Sequence, residues 1–294
     1  MRQLITFGLL IVSLLIGHAQ VIDVHLHSYS NEDYQRIGGA PHMGIESPKN
    51  GDLHLKQTIQ EMDKNNIQFA VISGWDFKSV EKYVKADPRF IPGYMDGQTI
   101  MPLSEFEQLV MTGKIKVFGE VSAQYFGRTL NDSIYAPYLK ICEKYDIPVG
   151  VHTGAGSPMR PFMKCCSNFR ISLGDPYLIE DVLVRYPKLR VYLMHGGEVH
   201  FEHTIRMMTM YTNLYIDISA LLWVEPFVLD YGVRLLKLAK QHSEIDRVMF
   251  GSDQMAWPGA ISKSIEVLNS QSFLTDTDKK MILYDNARTF FKLK

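Results

Sequence analysis

The sequence predicts a single α/β domain with the architecture of a closed (β/α)8 TIM barrel, and three observations support this prediction. Short apolar, β-rich runs occur eight times along the 294 residues, stretches typical of helices lie between them, and no Pro/Gly/Ser-rich linker divides the chain. Strands that alternate with helices form right-handed βαβ units and a parallel sheet, and eight such units close into a barrel. An open doubly wound sheet gives similar local patterns and is the alternative.

Each predicted strand ends at a polar or glycine-containing position. The eight runs are residues 21–27, 67–73, 90–95, 115–121, 147–152, 189–195, 214–219 and 247–253. Helices are predicted between them, for example over residues 53–65, 133–145, 176–186 and 226–242. The second and third of these helices end in "KYDIP" and "RYPKLR", which are turn sequences.

The N-terminus predicts export. Met1 and Arg2 precede an apolar run over residues 4–16, and small residues at 17 and 19 follow it. A positive start, an apolar run of roughly 7–15 residues and a small-residue exit describe a secretory signal peptide. The run is shorter than the about 20 residues that a membrane span needs. We therefore expect residues 1–19 to be a cleaved signal peptide and residues 20–294 to form the domain of a periplasmic or extracellular protein. An uncleaved anchor or a buried segment is the alternative.

Composition and charge limit the partners. The chain is 46% hydrophobic and 21% charged, as in a globular protein, and its net charge is -1. No basic excess is present to neutralise phosphates, so a nucleic-acid partner is excluded and a small-molecule substrate is expected. The oligomeric state stays open, with a homo-oligomer among the alternatives. Of three cysteines, the adjacent Cys165 and Cys166 could pair only in strained geometry, so we expect free or buried thiols.

Histidines and a carboxylate stand at the ends of four predicted strands. Strand one ends "DVHLH" with His25 and His27, strand five "VGVHTG" with His152, strand six "VYLMHGG" with His195, and strand eight "VMFGSDQ" with Asp253. The carboxyl ends of barrel strands meet at one mouth, where the chemistry of such barrels lies. Four imidazoles and a carboxylate there predict a divalent metal site, with zinc as the favoured ion.

Each of these residues also has an ordinary structural interpretation. A single histidine at a strand end is more often a hydrogen-bonded core residue than a ligand. Alternation along a strand can by itself produce the pair at His25 and His27. The coincidence of all five residues at the correct ends of four strands favours the metal site.

These motifs resemble those of the amidohydrolase superfamily, and their wording is closest to its amidohydrolase-related branch. The resemblance runs from "DVHLH" to the C-terminal "NARTFFKL". It implies that His25 and His27 hold a metal from strand one and that His152 and His195 bind it from strands five and six. It also implies that Asp253 is both a ligand and a proton carrier.

The resemblance places a further metal-bridging position near "VFGEVS", at the end of strand four, where Glu120 is the matching residue. A carboxylate there could bridge two ions about 3.5–4 Å apart. Alternatively, it orients a histidine or contacts the substrate beside a single ion. The sequence therefore leaves open whether one or two metal ions bind.

The predicted function is metal-dependent hydrolysis of an amide, lactone or ester. A divalent ion activates water and polarises a carbonyl, Asp253 carries the proton to the leaving group, and His195 assists at the carbonyl oxygen. The first alternative is a metal-dependent nonoxidative decarboxylase, an activity of some relatives in this branch. The second is a noncatalytic metal-binding or ligand-binding protein.

Substrate contacts are expected from the loops. Segment 28–51 is long enough to cover the mouth. The loop after strand five carries Arg160, Lys164 and Arg170 and has no acidic residue, so Arg160 or Arg170 is expected to bind a substrate carboxylate. A solvated surface charge is the alternative. Trp257 after strand eight either walls the pocket or packs the core. His200 and His203 are expected to be surface or interface histidines.

Overall fold

The computed structural model describes residues 20–156 and 158–294. Over these residues, eight parallel strands form one sheet in sequence order. The strands are β1 (Val21–His27), β2 (Ile67–Ser73), β3 (Phe90–Tyr94), β4 (Val117–Val121), β5 (Val149–His152), β6 (Val191–Met194), β7 (Leu214–Asp217) and β8 (Val248–Met249). The predicted (β/α)8 TIM barrel is therefore confirmed.

The sheet closes on itself between its first and last strands. The amide of Val24 donates to the carbonyl of Phe250 at 3.0 Å, and the amide of Asp253 donates to the carbonyl of His25 at 2.9 Å. This junction lies beyond the short β8 and brings the chain after that strand against β1. Closure therefore places Asp253 beside the histidines of strand one.

The helices of the described residues surround the barrel. They are α1 (Asn31–Ile37), α2 (Gly51–Lys64), α3 (Phe77–Ala86), α4 (Leu103–Met111), α5 (Ala136–Tyr145), α6 (Glu180–Arg185), α7 (Phe201–Met210), α8 (Pro226–Gln241), α9 (Ala260–Ser270), α10 (Asp276–Lys280) and α11 (Asn286–Phe290). Helix α2 begins after Asn50, whose side chain accepts from the amide of Leu53 and thereby caps the first turn. In the parts of the chain that the structure describes, no helix has the length and apolar character needed to cross a bilayer. The predicted signal peptide, residues 1–19, lies outside the described residues.

Apolar side chains fill the space between the sheet and its helices. Leu26, Ile72, Phe118 and Leu193 come from four different strands, and each is fully buried in the same cluster. Burial of this kind contributes about 1.5–3 kcal/mol for each large apolar side chain. A second buried cluster fills the interior of the barrel and includes Ile22, Val71 and Val117.

A buried histidine joins α2 to the chain after β8. His54 is fully buried, with Nδ1 2.8 Å from the Tyr83 hydroxyl and Nε2 2.7 Å from the carbonyl of Met255. Burial lowers the pKa of His54 to about 4, so the imidazole is neutral at pH 7. Because the pKa of histidine in an unfolded chain is about 6.5, acidification from there toward pH 4 favours the unfolded state.

We expect His54→Ala to lower the free energy of unfolding by about 2–4 kcal/mol, because it opens a cavity and leaves two buried polar groups unpartnered. Urea denaturation at pH 7.5 measures the change. His242→Ala is the control, since His242 is exposed and its loss should change stability by less than about 0.5 kcal/mol. Equal effects of the two substitutions would contradict this role for His54.

The cysteines differ in part from the sequence prediction. Cys142 is a buried free thiol, as expected, but Cys165 and Cys166 form a disulfide between adjacent residues. Their Cα atoms are 3.8 Å apart, below the usual range of about 4.4–6.8 Å for bridged cysteines. The prediction of free thiols at these two positions, which relied on that usual range, is wrong. The disulfide lies in the loop after β5.

Candidate active site

Buried histidines and a glutamate lie at the ends of strands, at the mouth of the barrel. His25 and His27 are two residues apart on β1, so both side chains point to the same side of the strand. Glu120 is the fourth residue of β4, and His152 ends β5. In the parallel pairing of β5 with β6, His152 lies opposite Met194, the last residue of β6. His195 follows Met194 directly and therefore lies at the same end of the barrel as His152.

The other two predicted site residues lie just beyond their strands. His195 begins a short 3-10 segment after β6, and Asp253 lies four residues after β8. Both have left-handed backbone conformations, with φ of 62° and 47°. Side chains other than glycine adopt this region at a cost in free energy, and such residues concentrate at functional sites. At His195 and Asp253 the backbone therefore leaves the strand conformation, and this change sets the direction of each side chain.

Glu120 lies at the centre of the imidazoles. Its Oε1 is 2.5 Å from His152 Nδ1 and 3.3 Å from His195 Nε2. Its Oε2 faces the other pair, 3.7 Å from His25 Nε2 and 3.6 Å from His27 Nε2. The two oxygens of one carboxylate therefore face two different pairs of histidines, which is the arrangement of a bridging ligand.

Asp253 completes the cluster on the side of β1. Its Oδ1 lies 3.0 Å from His27 Nε2 but lacks hydrogen-bond geometry toward it. On the other side of the cluster, His195 Nε2 and His152 Nδ1 are hydrogen-bonded at 3.0 Å, whereas Nε2 of His152 has no partner in the described part of the chain. A close spacing without hydrogen-bond geometry, as between Asp253 and His27, arises when donor atoms point at a shared position rather than at one another.

Burial and charge set the protonation of the cluster. Burial opposes ionisation of Glu120, but the positive charge and hydrogen bond of His152 outweigh it and hold the pKa of the carboxyl well below its usual range. The pKa of Asp253 is also lowered, because the charge on His25 outweighs the effect of burial. For His152, burial and the charge on His195 lower the pKa of the imidazole. For His195, burial is outweighed by the hydrogen bond to Glu120, which raises the pKa of the imidazole to about 9. For His25, burial is outweighed by the charge on Asp253, which raises the pKa well above its usual range. Protonated imidazoles thus balance the ionised carboxylates, and a cation that binds here would displace those protons.

The residues present fit a divalent cation. Among the described residues, three buried donor atoms of the cluster lack hydrogen-bond partners, namely His25 Nε2, His152 Nε2 and Asp253 Oδ1. Buried polar atoms are nearly always partnered in native proteins. Three overlapping sets of donor atoms lie within 4.8 Å of one another: His25, His27 and Glu120; His25, His195 and Asp253; and Glu120, His152 and His195. Imidazole and carboxylate donors together suit zinc or manganese.

A residue that the sequence analysis missed orients two of the histidines. Asp217, fully buried at the end of β7, accepts from Nδ1 of His25 at 3.2 Å and from the amide of His195 at 2.8 Å. It also accepts from the hydroxyl of Ser219 at 2.5 Å, and that hydroxyl lies 3.0 Å from Nδ1 of His195. The signal in the sequence was an acidic residue inside the apolar run "LYIDIS". Carboxylates of this kind fix the ring orientation of metal-binding histidines.

We expect Asp217→Asn to weaken metal binding by about 10- to 100-fold, because His25 loses the carboxylate that fixes its ring. Competition with a chelator of known affinity measures the change. Asp246→Asn is the control, since Asp246 is exposed at the other end of the barrel, just before β8. Unchanged affinity in Asp217→Asn would show that this carboxylate only packs the core.

Two further residues that the sequence analysis missed fix loops around the cluster. Gln254 accepts from the amide of His27 and donates to its carbonyl, both at 2.9 Å. Glu198 accepts from the amides of Ala155 at 2.8 Å and Gly156 at 3.3 Å, and so anchors the start of the loop after β5. Neither residue carried a signal in the sequence, because each acts on the backbone of a distant segment.

The three predicted substrate-binding residues have different surroundings. The Arg160 guanidinium lies 5.2 Å from the centre of the Tyr125 ring, and that ring makes an edge contact with His152 at 4.9 Å. The structure does not bring Arg170 to the cluster in this way. Arg170 is exposed, and its Nη1 donates to the backbone carbonyl of Phe169 at 2.6 Å.

Trp257 packs against the loop that follows β1. Its Nε1 donates to the carbonyl of Ala40 at 2.9 Å, and its ring lies 5.0 Å from that of His42. It also packs against a buried group that contains Tyr29, whose ring is 6.2 Å from His27. Trp257 therefore holds the covering loop beside the cluster, and its role as a pocket wall stays a prediction.

The fold and this site define a class of protein, a (β/α)8 barrel with a buried cluster of four histidines and two carboxylates at the strand ends. The chain belongs to the amidohydrolase family, whose model, described as Amidohydrolase, matches residues 22–293. This is a superfamily of enzymes whose members usually bind a divalent metal. The family expected from the sequence motifs is thus confirmed. A comparison with the curated proteins found no match.

Solved structures share the fold at low sequence identity. A probable 2-pyrone-4,6-dicarboxylic acid hydrolase from Acinetobacter baumannii, with citric acid bound, is 15% identical with a TM-score of 0.66, over 93% of this chain and 99% of that chain. A 5-carboxyvanillate decarboxylase from Novosphingobium aromaticivorans, with manganese and 3-methoxy-4-hydroxy-5-nitrobenzoic acid bound, is 15% identical with a TM-score of 0.65, over 94% and 97%. An uncharacterized TIM-barrel protein from Bordetella bronchiseptica is 19% identical with a TM-score of 0.67, over 93% and 98%.

Proposed function

We propose that this protein is a metal-dependent hydrolase that cleaves an amide, lactone or ester bond of a small substrate that carries a carboxylate. The observation that carries the proposal is the single buried cluster in which Glu120 faces two histidine pairs and Asp253 stands beside His27. The proposed ligands are His25, His27, Glu120, His152, His195 and Asp253. Zinc is the proposed ion, because imidazole nitrogen and carboxylate oxygen are its usual donors.

A divalent ion bound here would polarise the scissile carbonyl and lower the pKa of the attacking water. Asp253 accepts the proton of that water, because its carboxyl is ionised and its Oδ1 points into the cluster without a hydrogen-bond partner in the described part of the chain. As the bond from the carbonyl carbon to nitrogen or oxygen breaks, Asp253 returns the proton to the leaving atom. His195, whose Nε2 lies 3.3 Å from Oε1 of Glu120, is the proposed contact to the carbonyl oxygen.

Arg160 is the proposed carboxylate contact. Its Nε is buried and has no hydrogen-bond partner among the described residues. The guanidinium lies over the Tyr125 ring, and that ring contacts His152 of the cluster. An unpaired guanidinium donor beside a metal cluster suits a charged hydrogen bond to an anion. Arg170 is less suited, since its side chain is exposed and already donates to its own loop.

We expect Arg160→Ala to raise KM for a carboxylate-bearing substrate by about 10-fold or more, the loss of roughly 1.5–3 kcal/mol from a charged hydrogen bond. kcat should change little, because this contact is present in both the bound substrate and the transition state. Steady-state kinetics on acid and methyl-ester forms of one substrate measure the effect. Arg170→Ala is the matched control, and equal kinetics in both variants would contradict the assignment.

A nonoxidative decarboxylase is the second candidate, and the same Arg160 supports it. With a substrate carboxylate held beside the cluster, Asp253 would first take a proton from water and then pass it to the ring carbon as the carbon–carbon bond breaks and carbon dioxide leaves. The decarboxylase from Novosphingobium aromaticivorans has this fold. The two functions require the same residues but yield different products.

Product analysis separates the two candidates. The purified protein is first analysed for metal and then assayed with lactones, N-acyl amino acids, dipeptides and carboxylated aromatics. Products that gain one water without gas release support hydrolysis, whereas stoichiometric carbon dioxide assigns the decarboxylase. Turnover that survives complete chelation of the metal would overturn both, since both require the ion.

We also propose that the protein is exported, with residues 1–19 removed. Mass spectrometry of the protein recovered from its natural host measures the mature N-terminus, which should be at Gln20 or Val21. Recovery of the full-length chain in the cytosolic fraction would contradict export.

A further inference from the structure

A second cluster of metal-ligand side chains lies apart from the barrel mouth cluster described above. It consists of Asp175 at the end of the loop after β5, His200 just before α7, and His203 in the first turn of α7. One donor atom from each residue lies within 4.8 Å of the others, and the three residues are partly buried, although the side chain of His203 is 41% exposed. We call this group the α7 cluster.

The spacing of the α7 cluster suits a single ion. The Nδ1 atom of His203 lies 2.9 and 3.0 Å from the two carboxylate oxygens of Asp175. Two donors bound to one tetrahedral zinc at about 2.0–2.1 Å are about 3.3 Å apart, so little movement is needed to admit the ion. His200 and His203 are three residues apart, and their rings are nearly parallel, 5.9 Å apart with an interplanar angle of 19°. Both rings therefore lie on the same side of the helix start.

Neighbouring groups already hold these ligands in place. The ring of Tyr177 stacks on His203 at 4.2 Å. The Oδ1 atom of Asp175 accepts from the amide of Tyr177 at 3.0 Å, and Nε2 of His200 lies 3.4 Å from the carbonyl of Ile171. If His200 donates from Nε2, its Nδ1 carries the lone pair that a metal requires. Ligands oriented by outer contacts bind metals more tightly than mobile ones.

We propose that Asp175, His200 and His203 form a second transition-metal site, for zinc or an ion of similar chemistry. Two imidazoles and one carboxylate favour such ions over magnesium and calcium, which prefer all-oxygen ligands. Three protein ligands leave a coordination position for water on the solvent side. The site is separate from the barrel mouth cluster and shares no ligand with it.

An ion here would fix the end of the loop that carries Arg160. Asp175 follows Gly174, whose carbonyl accepts from the amide of Gly154 at 3.0 Å, and Gly154 lies two residues after His152. The metal would link α7 to the point where this hydrogen bond joins the two ends of the loop. Occupancy of the α7 cluster therefore restrains the loop next to the active site without a direct contact to the reacting groups.

Zinc binding by four forms of the full-length chain tests the proposal. Wild type, His203→Gln, Asp175→Asn and His242→Gln are dialysed to equilibrium against a series of micromolar zinc concentrations, and bound metal is counted. His242 is an exposed histidine outside both clusters and provides the matched control. Asp175→Asn keeps an oxygen that can accept from the Tyr177 amide, so it removes the anionic ligand while the turn that begins there is retained.

Wild type and His242→Gln should bind one more equivalent of zinc than His203→Gln. The zinc affinity of this extra site should fall by at least about 10-fold in Asp175→Asn, because even the loss of an outer contact to a ligand costs about 10- to 100-fold. Diffraction at the zinc absorption edge should show an ion bound to all three side chains in wild type. Equal stoichiometry and affinity in all four chains would show that Asp175 and His203 form only a hydrogen-bonded pair. A loss of more than one equivalent in His203→Gln would also overturn the proposal, because the substitution would then act on the barrel mouth.

Discussion

Asp253→Asn should lower kcat by about 10²- to 10⁴-fold, the usual contribution of a positioned acid-base group. Asparagine has nearly the same shape as aspartate but accepts no proton in this pH range, so the variant cannot take the proton of the attacking water. The backbone at Asp253, with φ of 47°, is held by the hydrogen bond that its amide donates to the carbonyl of His25, a contact that does not involve the carboxylate. Single-turnover kinetics on metal-loaded protein measure the chemical step directly.

The control for Asp253→Asn is Asp246→Asn, the same substitution at the opposite end of β8. Asp246 is exposed and lies before the strand, at the barrel end that carries stability rather than chemistry. Metal content must be measured in both variants, because Asp253 is also a proposed ligand. Wild-type turnover in a fully metal-loaded Asp253→Asn protein would exclude Asp253 as the proton carrier, for hydrolysis and decarboxylation alike.

Glu120→Gln should release metal and abolish activity at ordinary metal concentrations. The amide removes a negative charge that faces His25 and His27 on one side and His152 and His195 on the other. Loss of one partner from a buried charged group costs roughly 3–5 kcal/mol. We therefore expect metal affinity to fall by at least about 100-fold, a larger loss than for the outer carboxylate of Asp217.

The matched control for Glu120→Gln is Glu198→Gln, because Glu198 is also a buried carboxylate near the mouth but accepts from backbone amides. It should keep full metal content. The number of ions lost in Glu120→Gln also determines what Glu120 does. Partial recovery of activity at saturating metal indicates a direct ligand, whereas a fully loaded and inactive variant indicates a substrate contact and would contradict the bridging arrangement.

Much of the barrel could be predicted from the sequence, because strand periodicity and strand burial coincide. The bounds of β1 and β2 match the predicted runs, and the predicted helix over residues 226–242 differs from α8 by one residue. The largest strand error is at β8, predicted over residues 247–253 but observed as Val248–Met249. Beyond Met249 the chain stays buried but leaves the ladder to present Asp253, and apolar runs do not distinguish these two cases.

The loop after β1 contains a helix, α1, that the sequence analysis did not predict. Segment 28–51 is predicted from its length to cover the mouth, yet α1 forms within it. Ser30 caps this helix by accepting from the amide of Asp33. Only the second half of the segment has the expected irregular conformation, and there Trp257 holds it.

The candidate site was predictable where its residues end strands, and not where residues act on it from a distance. His25, His27, His152, His195, Glu120 and Asp253 all carry a local signal, since each is a polar residue at the end of an apolar run. Asp217 had the same signal, but nothing in the sequence says that it faces His25. The pairing of Asp175 with His203 spans 28 residues and follows from the path of the loop, which spacing rules do not describe.

The junction between β1 and the chain after β8 lies beside the proposed metal ligands, so metal binding there would be coupled to closure of the barrel. His25 comes from the first strand of the sheet and Asp253 from beyond the last, and with His195 they form one set of donor atoms within 4.8 Å, so an ion bound to this set would join the two ends of the sheet. By thermodynamic linkage, a bound ion would stabilise the closed junction by RT ln(1 + [metal]/Kd). This free energy is about 2.7 kcal/mol at a metal concentration of one hundred times Kd. Without the ion, unfolding should begin at the junction between β1 and the chain after β8.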